Sequence, residues 1–448
     1  MVIQNYSELV ISPEKENVLR FAALGIESVL PDTILKKHIH VDNDTLIAYG
    51  KKFPLKGKRV FVIGAGKASA RMAEVIEGIL TPGRIMAGIV LSGDRNVNTK
   101  KIEIVFADHP VPLEKNVTNT KRILALKEQH NIGADDFIIA LISGGGSAML
   151  SYPVDSVSLE DKQKLTELLI GNGAGGYENT TIKSKLSRVK GGRLAEHFAP
   201  SQVLSLVLSD DNGEATHEMT ASGPLSPDMT TYNDAWKVLE KFGIVDVVPS
   251  SIRSFLHARI KKPASTPDLS HVHQVIIASN ETALEAIKNA ALEQHINVIT
   301  RRQIKGEARE VASEICGIAQ KAHINKPTLF LYGGETRVTL GNSSGIGGRN
   351  QEVILSCLVK LKKQPLKNKW CIAAIATDGV DFIEKAAGGI IDNDSLKAIQ
   401  EKNLGLESYL ERHDSFIALS CVNSIISTGG QTGTNVGDII LFYISHRT

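Results

Sequence analysis

RVFVIGAGKASARMAEVIEGIL, residues 59–80, carries the first decision about the fold. Its opening half, RVFVIGAG (59–66), is a nearly continuous run of Val, Ile, Phe and Ala. A run this short and this apolar predicts a strand buried on both faces, as in a parallel sheet. The second half, KASARMAEVIEGIL (67–80), has helical spacing and follows the strand directly. Strand, glycine turn and helix make the opening of a βαβ unit. The same pattern recurs in MAGIVLSG (86–93), IEIVFAD (102–108), DFIIALISGGGS (136–147) and VLSLVLSD (203–210). It continues in QVIIASN (274–280), PTLFLYGGE (327–335) and CIAAIATDG (371–379). The fold class is therefore α/β, with parallel sheets wrapped by helices.

A chain of 448 residues exceeds one ordinary core and predicts more than one domain. The stretch KKPASTPDLSHVH (261–273), rich in Pro, Ser and Thr and poor in apolar residues, marks the expected boundary. Two domains follow from it, 1–268 and 269–448. A helix-like segment at 13–30 packs on one of the two, and the sequence does not say which.

Hydrophobic residues make up 42% and charged residues 22% of the chain, ordinary values for a packed globular protein. The formal net charge of +2 argues against nucleic acid or an anionic membrane as partner, since either needs a concentrated basic face. The four cysteines, Cys316, Cys357, Cys371 and Cys421, form no CxxC pair and read as buried thiols in a reducing compartment. No leader pattern opens the chain and no apolar stretch is long enough to span a bilayer, so the cytoplasm is the expected location.

Chemistry is expected in the loops at strand ends, where glycine lets a backbone approach an anion closely. Gly64-Ala-Gly66-Lys67-Ala-Ser69 is neither a Walker A loop nor a complete dinucleotide fingerprint, because Ser69 stands where the third glycine belongs. Lys67 falls in the first helical turn, within reach of a phosphate. Ser143-Gly144-Gly145-Gly146-Ser147 places three glycines between two hydroxyls, a pattern suited to an oxyanion. Lys185 to Arg193 is basic with helical spacing; it reads as a solvated face, or, through Lys190, Arg193 and the glycines Gly191 and Gly192, as a ligand contact. Ser209-Asp210-Asp211-Asn212-Gly213-Glu214 and Ala376-Thr377-Asp378-Gly379-Val380-Asp381 are acidic strand ends, able to hold Mg²⁺ or accept a hydroxyl proton, or to form Asx turns. Arg349, with Asn350 beside it and Glu335 upstream, offers a planar fork to a phosphoryl group, or forms a structural salt bridge to Glu335 or Glu352. Thr432, Thr434 and Asn435 make a further small-residue loop for an anion or nucleotide. Among the histidines only His109, in Asp108-His109-Pro110, stands at a strand end beside such punctuation.

The motifs GAGKAS, HPVP, SGGGSAML, KLSRVKGGRLA, ASGP, GEAREVA, GGET, GGRNQE, ATDGVD and TGTNVGD occur in this order. Together they resemble the glycerate 2-kinases that join a Rossmann-like N-terminal domain to a MOFRL C-terminal domain, over about residues 13–444. The resemblance implies a three-layer N-terminal domain, a smaller C-terminal one with its MOFRL core at about 328–442, and an active-site cleft between them. It implies transfer of phosphate from ATP to D-glycerate with Mg²⁺, giving 2-phosphoglycerate. Lys67 and Arg349 become the central basic groups, Asp210 the group that activates the hydroxyl or holds the metal, and Asp378 a second metal ligand. Partners would be small molecules alone, with room for a homodimer. Proteins of this family also carry the name hydroxypyruvate reductase, which makes an NAD(P)H-dependent reductase the first rival and a catalytically weakened sugar-acid or nucleotide-binding regulator the second. The chain departs from the family pattern at Ser209–Glu214, at Phe382–Gly388 and at Thr428–Gln431.

Overall fold

The computed structural model describes residues 1–94, 96–211, 216–263, 267–341 and 343–446. It divides the chain into a central unit, Pro31–Ile277, and a split unit made of Met1–Leu30 and Ala278–Thr448. This corrects the expected division at 268/269 twice. The crossing lies at 277/278, and the first 30 residues belong with the C-terminal half. Among the described residues no helix is long and apolar enough to cross a membrane.

The central unit opens with the helix Pro31–His38 and a three-stranded antiparallel meander, β1 (Ile39–Asp42), β2 (Thr45–Ala48) and β3 (Lys51–Pro54). These strands of four residues each lack the long apolar runs that mark the others, and the sequence reading missed them. The main sheet contains β4 (Arg59–Ala65), β5 (Ile85–Ser92), β6 (Ile102–Phe106), β7 (Asp136–Ser143), β8 (Gln202–Leu208) and β9 (Val272–Ala278), ordered β6-β5-β4-β7-β8-β9. Counted from β4 this is the 3-2-1-4-5-6 order of a doubly wound sheet. Pairing from β6 through β8 is parallel. Every residue of β7 is buried, as its unbroken apolar run requires. The order reverses between β4 and β7, and ligands of such sheets bind beyond the carboxyl ends of the strands at that point. A second apolar cluster joins four helices outside the sheet, through Leu165 and Leu169 (helix Leu159–Gly171), Ile182 (Gly176–Lys185), Leu239 (Tyr232–Lys241) and Ile252 (Ser250–His257).

The split unit has a mixed sheet of β10 (Asn297–Glu307), β11 (Thr328–Arg337), β12 (Trp370–Ala376), β13 (Gly388–Asp392), β14 (Ile425–Ile426) and β15 (Asp438–Ile444), ordered β10-β11-β15-β12-β13-β14. Only β10 and β11 run parallel; β15 lies antiparallel between β11 and β12. The expectation of a parallel sheet fails here for a physical reason. An apolar run reports that both faces are covered, not which way its neighbour runs. On one face Ile440, Phe442 and Ile444 join Val353, Leu358 and Ile315. On the other, Ile439 meets the helix Pro13–Ser28 and the helix Asn280–Glu293. A Cβ on Gly25 would come within 2.6 Å of Ile287 and 3.1 Å of Ile439. Ser12 caps that first helix by accepting from the Lys15 backbone N–H at 3.2 Å, and Pro13 fits its first turn.

Candidate active site

Strand register sets the corner of the central unit. Ala65 pairs with Ile142 and Ser143 with Leu208, so the turns after β4, β7 and β8 leave the sheet side by side. The turn after β4 is tied into that edge by its own amides. Gly66 N–H donates to Leu91 O (3.1 Å), Lys67 N–H to Gly144 O (2.8 Å) and Ala68 N–H to Ser143 Oγ (3.0 Å). Ser69 Oγ donates to Leu141 O at 3.0 Å and lies 3.1 Å from Ser143 Oγ, and both serines are fully buried. Gly64 and Gly66 are glycines because a Cβ would stand 2.5 Å from Leu141 O and 2.2 Å from Ser143 Oγ. Of the residues expected at a phosphate, Ser69 and Ser143 have their hydroxyls engaged in joining the two loops, and Gly64 and Gly66 permit the close approach.

The turn after β7 is different. Gly145 has φ +81°, and a Cβ there would come 3.1 Å from Lys67 Cγ and 3.2 Å from His109 Cδ2. Lys67 and His109 thus flank the bare backbone of the three-glycine turn. Asn116, fully buried, fixes the His109 loop to this turn by donating to Asp108 O (2.8 Å) and Ala148 O (3.0 Å). Ser147 Oγ lies 2.9 Å from Ser222 Oγ. Ala221 and Ser222 hold φ of +60° and +63°, a conformation costing about 1–2 kcal/mol for each non-glycine residue. Lys190, 1% exposed, restrains that strain: its ammonium donates to Ser147 O (2.8 Å), Leu150 O (3.2 Å) and Ala221 O (3.3 Å). Arg193 donates to Ser184 O (2.7 Å) and Lys190 O (2.8 Å). Both were expected as ligand contacts, and in this structure both hold loops. Gly191 and Gly192 answer to close packing, since a Cβ on Gly191 would stand 2.8 Å from Asp228 Cβ.

Asp210 is half-buried just past β8. Ser209, next to it, accepts from Asp211 N–H (3.1 Å) and lies 2.9 Å from His217 Nδ1. Residues 212–214 of the predicted acidic loop lie outside the described residues.

The remaining predicted residues are in the split unit. Arg349 opens the helix Arg349–Lys363 and sends Nε and Nη2 to Asp438 (2.6 and 2.9 Å) and Nη1 to Glu335 (2.7 Å). Burial disfavours its charge, but Asp438 and Glu335 outweigh that and hold the guanidinium well above its usual pKa. The salt-bridge alternative for Arg349 is therefore the one this arrangement contains, with Asp438 as the partner that sequence did not supply. Asn350, 1% exposed, faces Asp381. Asp381 caps the helix by accepting from the backbone N–H of Asn350 (3.1 Å) and of Gln351 (2.9 Å). Burial pushes its carboxyl up to about 6. Thr432 Oγ1 donates to Thr377 O (2.6 Å) and Thr434 Oγ1 to Val29 O (2.7 Å), so these hydroxyls knit the loop to its unit. Asn435 is buried, and Asp378, 7% exposed, accepts from Val380 N–H at 3.1 Å. Among the described residues no three acidic, His or Cys side chains converge as a metal cage. Asp210 and Asp378 lie in different units.

Residues 17–257 match the family described as "Domain of unknown function (DUF4147)", and residues 328–438 match the MOFRL family. The chain is 34% identical to the glycerate 2-kinase of Pyrococcus horikoshii, over 97% of this chain and 98% of that one. It is 36% identical to an Agrobacterium vitis protein that carries a hydroxypyruvate reductase name, over 88% of this chain and 90% of that one. The crystal structure of Thermotoga maritima glycerate kinase superposes with a TM-score of 0.78 at 34% identity, covering 96% of this chain and all of the other.

Proposed function

This chain belongs to the glycerate 2-kinase family of proteins with DUF4147 and MOFRL domains, and we propose that it phosphorylates the 2-hydroxyl of D-glycerate from ATP. It is thus read as a phosphotransferase with an alcohol as acceptor. The observation that carries this reading is the bare backbone of Gly145 between Lys67 and His109, at the switch point of a doubly wound sheet. A cation beside a glycine turn suits an anionic substrate and a developing phosphoryl charge.

The same corner speaks against a dinucleotide reductase. A dinucleotide sits with its pyrophosphate on the amides of the first βα turn. Here the amides of Gly66, Lys67 and Ala68 are already bonded to Leu91, Gly144 and Ser143.

In this proposal Lys67 stabilises the phosphoryl group in flight, and Asp210 orients or deprotonates the 2-hydroxyl. Arg349 has its fork fixed by Asp438 and Glu335, and within the split unit it serves as a positioning group. Mg²⁺, when bound, would neutralise the nucleotide's phosphates. Asp210 in the central unit, or Asp378 in the split unit, would offer it a carboxylate, and this ion takes one or two from protein when phosphates and water complete its shell.

The test is ADP release from ATP on addition of D-glycerate, with and without Mg²⁺, beside NADH consumption on addition of hydroxypyruvate. ADP release that needs both glycerate and Mg²⁺ is expected. NADH consumption without ADP release overturns the proposal.

A further inference from the structure

The helical cluster beside the glycine turns contains cations that form no ion pair among the described residues. The basic stretch around residue 190 otherwise resolves into partners: Lys185 pairs with Asp228 at 2.7 Å, Arg188 with Asp155, and Lys190 and Arg193 with backbone carbonyls. Lys162 and Lys183 are the exceptions. Lys162 lies on the inward face of helix Leu159–Gly171 together with Leu165 and Leu169, and is only 7% exposed. Neither its ammonium nor that of Lys183 has a hydrogen bond or an ion pair among the described residues.

Position follows from packing. Helices Leu159–Gly171 and Gly176–Lys185 share one apolar cluster. Gln163, next to Lys162, donates to Pro112 O at 2.6 Å and ties that helix to the His109 loop. The second helix leads into the segment in which Lys190 grips Ser147. Burial and the nearness of Lys183 push the Lys162 ammonium down to about 8, and both residues act on Lys190 in the same sense. A buried lysine without a counter-ion is rarely kept in a fold, because its charge is destabilising until an anion arrives.

We propose that Lys162 and Lys183 bind the carboxylate of the hydroxy-acid substrate, beside the three-glycine turn and with Lys190 behind them. This rests on the kinase reading above and names the half of the site that recognises the acid. The carboxylate supplies the missing charge, and a neutral three-carbon alcohol does not.

The experiment compares full-length wild type with Lys162→Met by thermal melting without nucleotide, and by steady-state kinetics. D-Glycerate is expected to raise the wild-type melting temperature and leave that of Lys162→Met unmoved, while the free variant melts at or above the free wild type. KM for glycerate should rise roughly 10- to 100-fold, the effect of losing a charge-assisted hydrogen bond, with KM for ATP unchanged. D-Glyceraldehyde should not raise the wild-type melting temperature. A variant that keeps the glycerate-induced shift and the wild-type KM overturns the proposal, as does one that melts lower with KM unchanged. Inorganic phosphate stabilising the wild type more than glycerate, with that gain lost in the variant, assigns the cluster to a phosphoryl group and also overturns it. Should Lys162→Met not fold, Lys183→Met at a half-buried position carries the same expectations. If wild type releases no ADP, the kinase reading fails, while the glycerate-induced shift and its loss still decide the anion site.

Discussion

Two corners of this molecule handle positive charge in opposite ways. In the split unit Arg349 is saturated, with Asp438 gripping one edge of its fork and Glu335 the other. In the central unit Lys162 and Lys183 gather near Lys190, and neither forms an ion pair among the described residues. A balanced cation fixes geometry, whereas an unbalanced one is a standing preference for an anion. The first corner is built to stay as it is; the second is built to be completed.

The largest effect should come from removing charge at the glycine turn. Lys67→Ala is expected to lower kcat for ADP release with D-glycerate by about 10³-fold, the scale of losing a cation from a phosphoryl-transfer site. A near-normal kcat would remove Lys67 from the chemistry and leave the comparison without its functional half. Next is the balanced corner. Asp438→Asn strips the paired acid from a guanidinium held between carboxylates, and should destabilise the fold by about 4 kcal/mol in urea melts. The sign is opposite to that expected for Lys162→Met, so a stabilised Asp438→Asn would erase the contrast.

A third effect depends on pH. Asp381 has its carboxyl pushed up to about 6 by burial, whereas the unfolded chain titrates near 3.8. Between those values the folded state binds the extra proton. The associated stability is fully present below about pH 4 and is lost as pH rises through about 6. It amounts to about 3 kcal/mol. The stability of wild type relative to Asp381→Asn should grow by that amount on acidification, and a flat difference would deny the burial effect. The smallest effect is Ser147→Ala, which removes the bond to Ser222 Oγ and should cost about 1 kcal/mol. Differential melting would register it.

Much of the central unit was legible because a doubly wound sheet announces itself through buried runs followed by glycine turns. All eight strands read from the sequence exist, and the turns after β4 and β7 meet where the reading placed chemistry. Strand direction in the split unit was not legible, since β15 is apolar on both faces whichever way it runs. The boundary was misjudged because residues 272–278 form an edge strand of the central sheet, so the chain crosses only at the end of that strand. Within the site, sequence gives the residue type but not its facing. The hydroxyls of Ser69 and Ser143 look the same on paper whether they meet a ligand or each other. Lys162 did leave a trace, standing in helical register with Leu165 and Leu169 on a face that should have been apolar.

The split unit sets an order of events during synthesis. Residues 1–30 leave the ribosome before the central unit, carrying Val18, Leu19, Phe21 and Ile26, all of which end fully buried. Their partners, among them Ile287 and Ile439, are not made until the whole central unit has been translated. At ordinary elongation rates that interval is on the order of 10–50 seconds. For that time the first helix is an apolar stripe in search of cover, and it is the part of the nascent chain that a chaperone has most reason to hold.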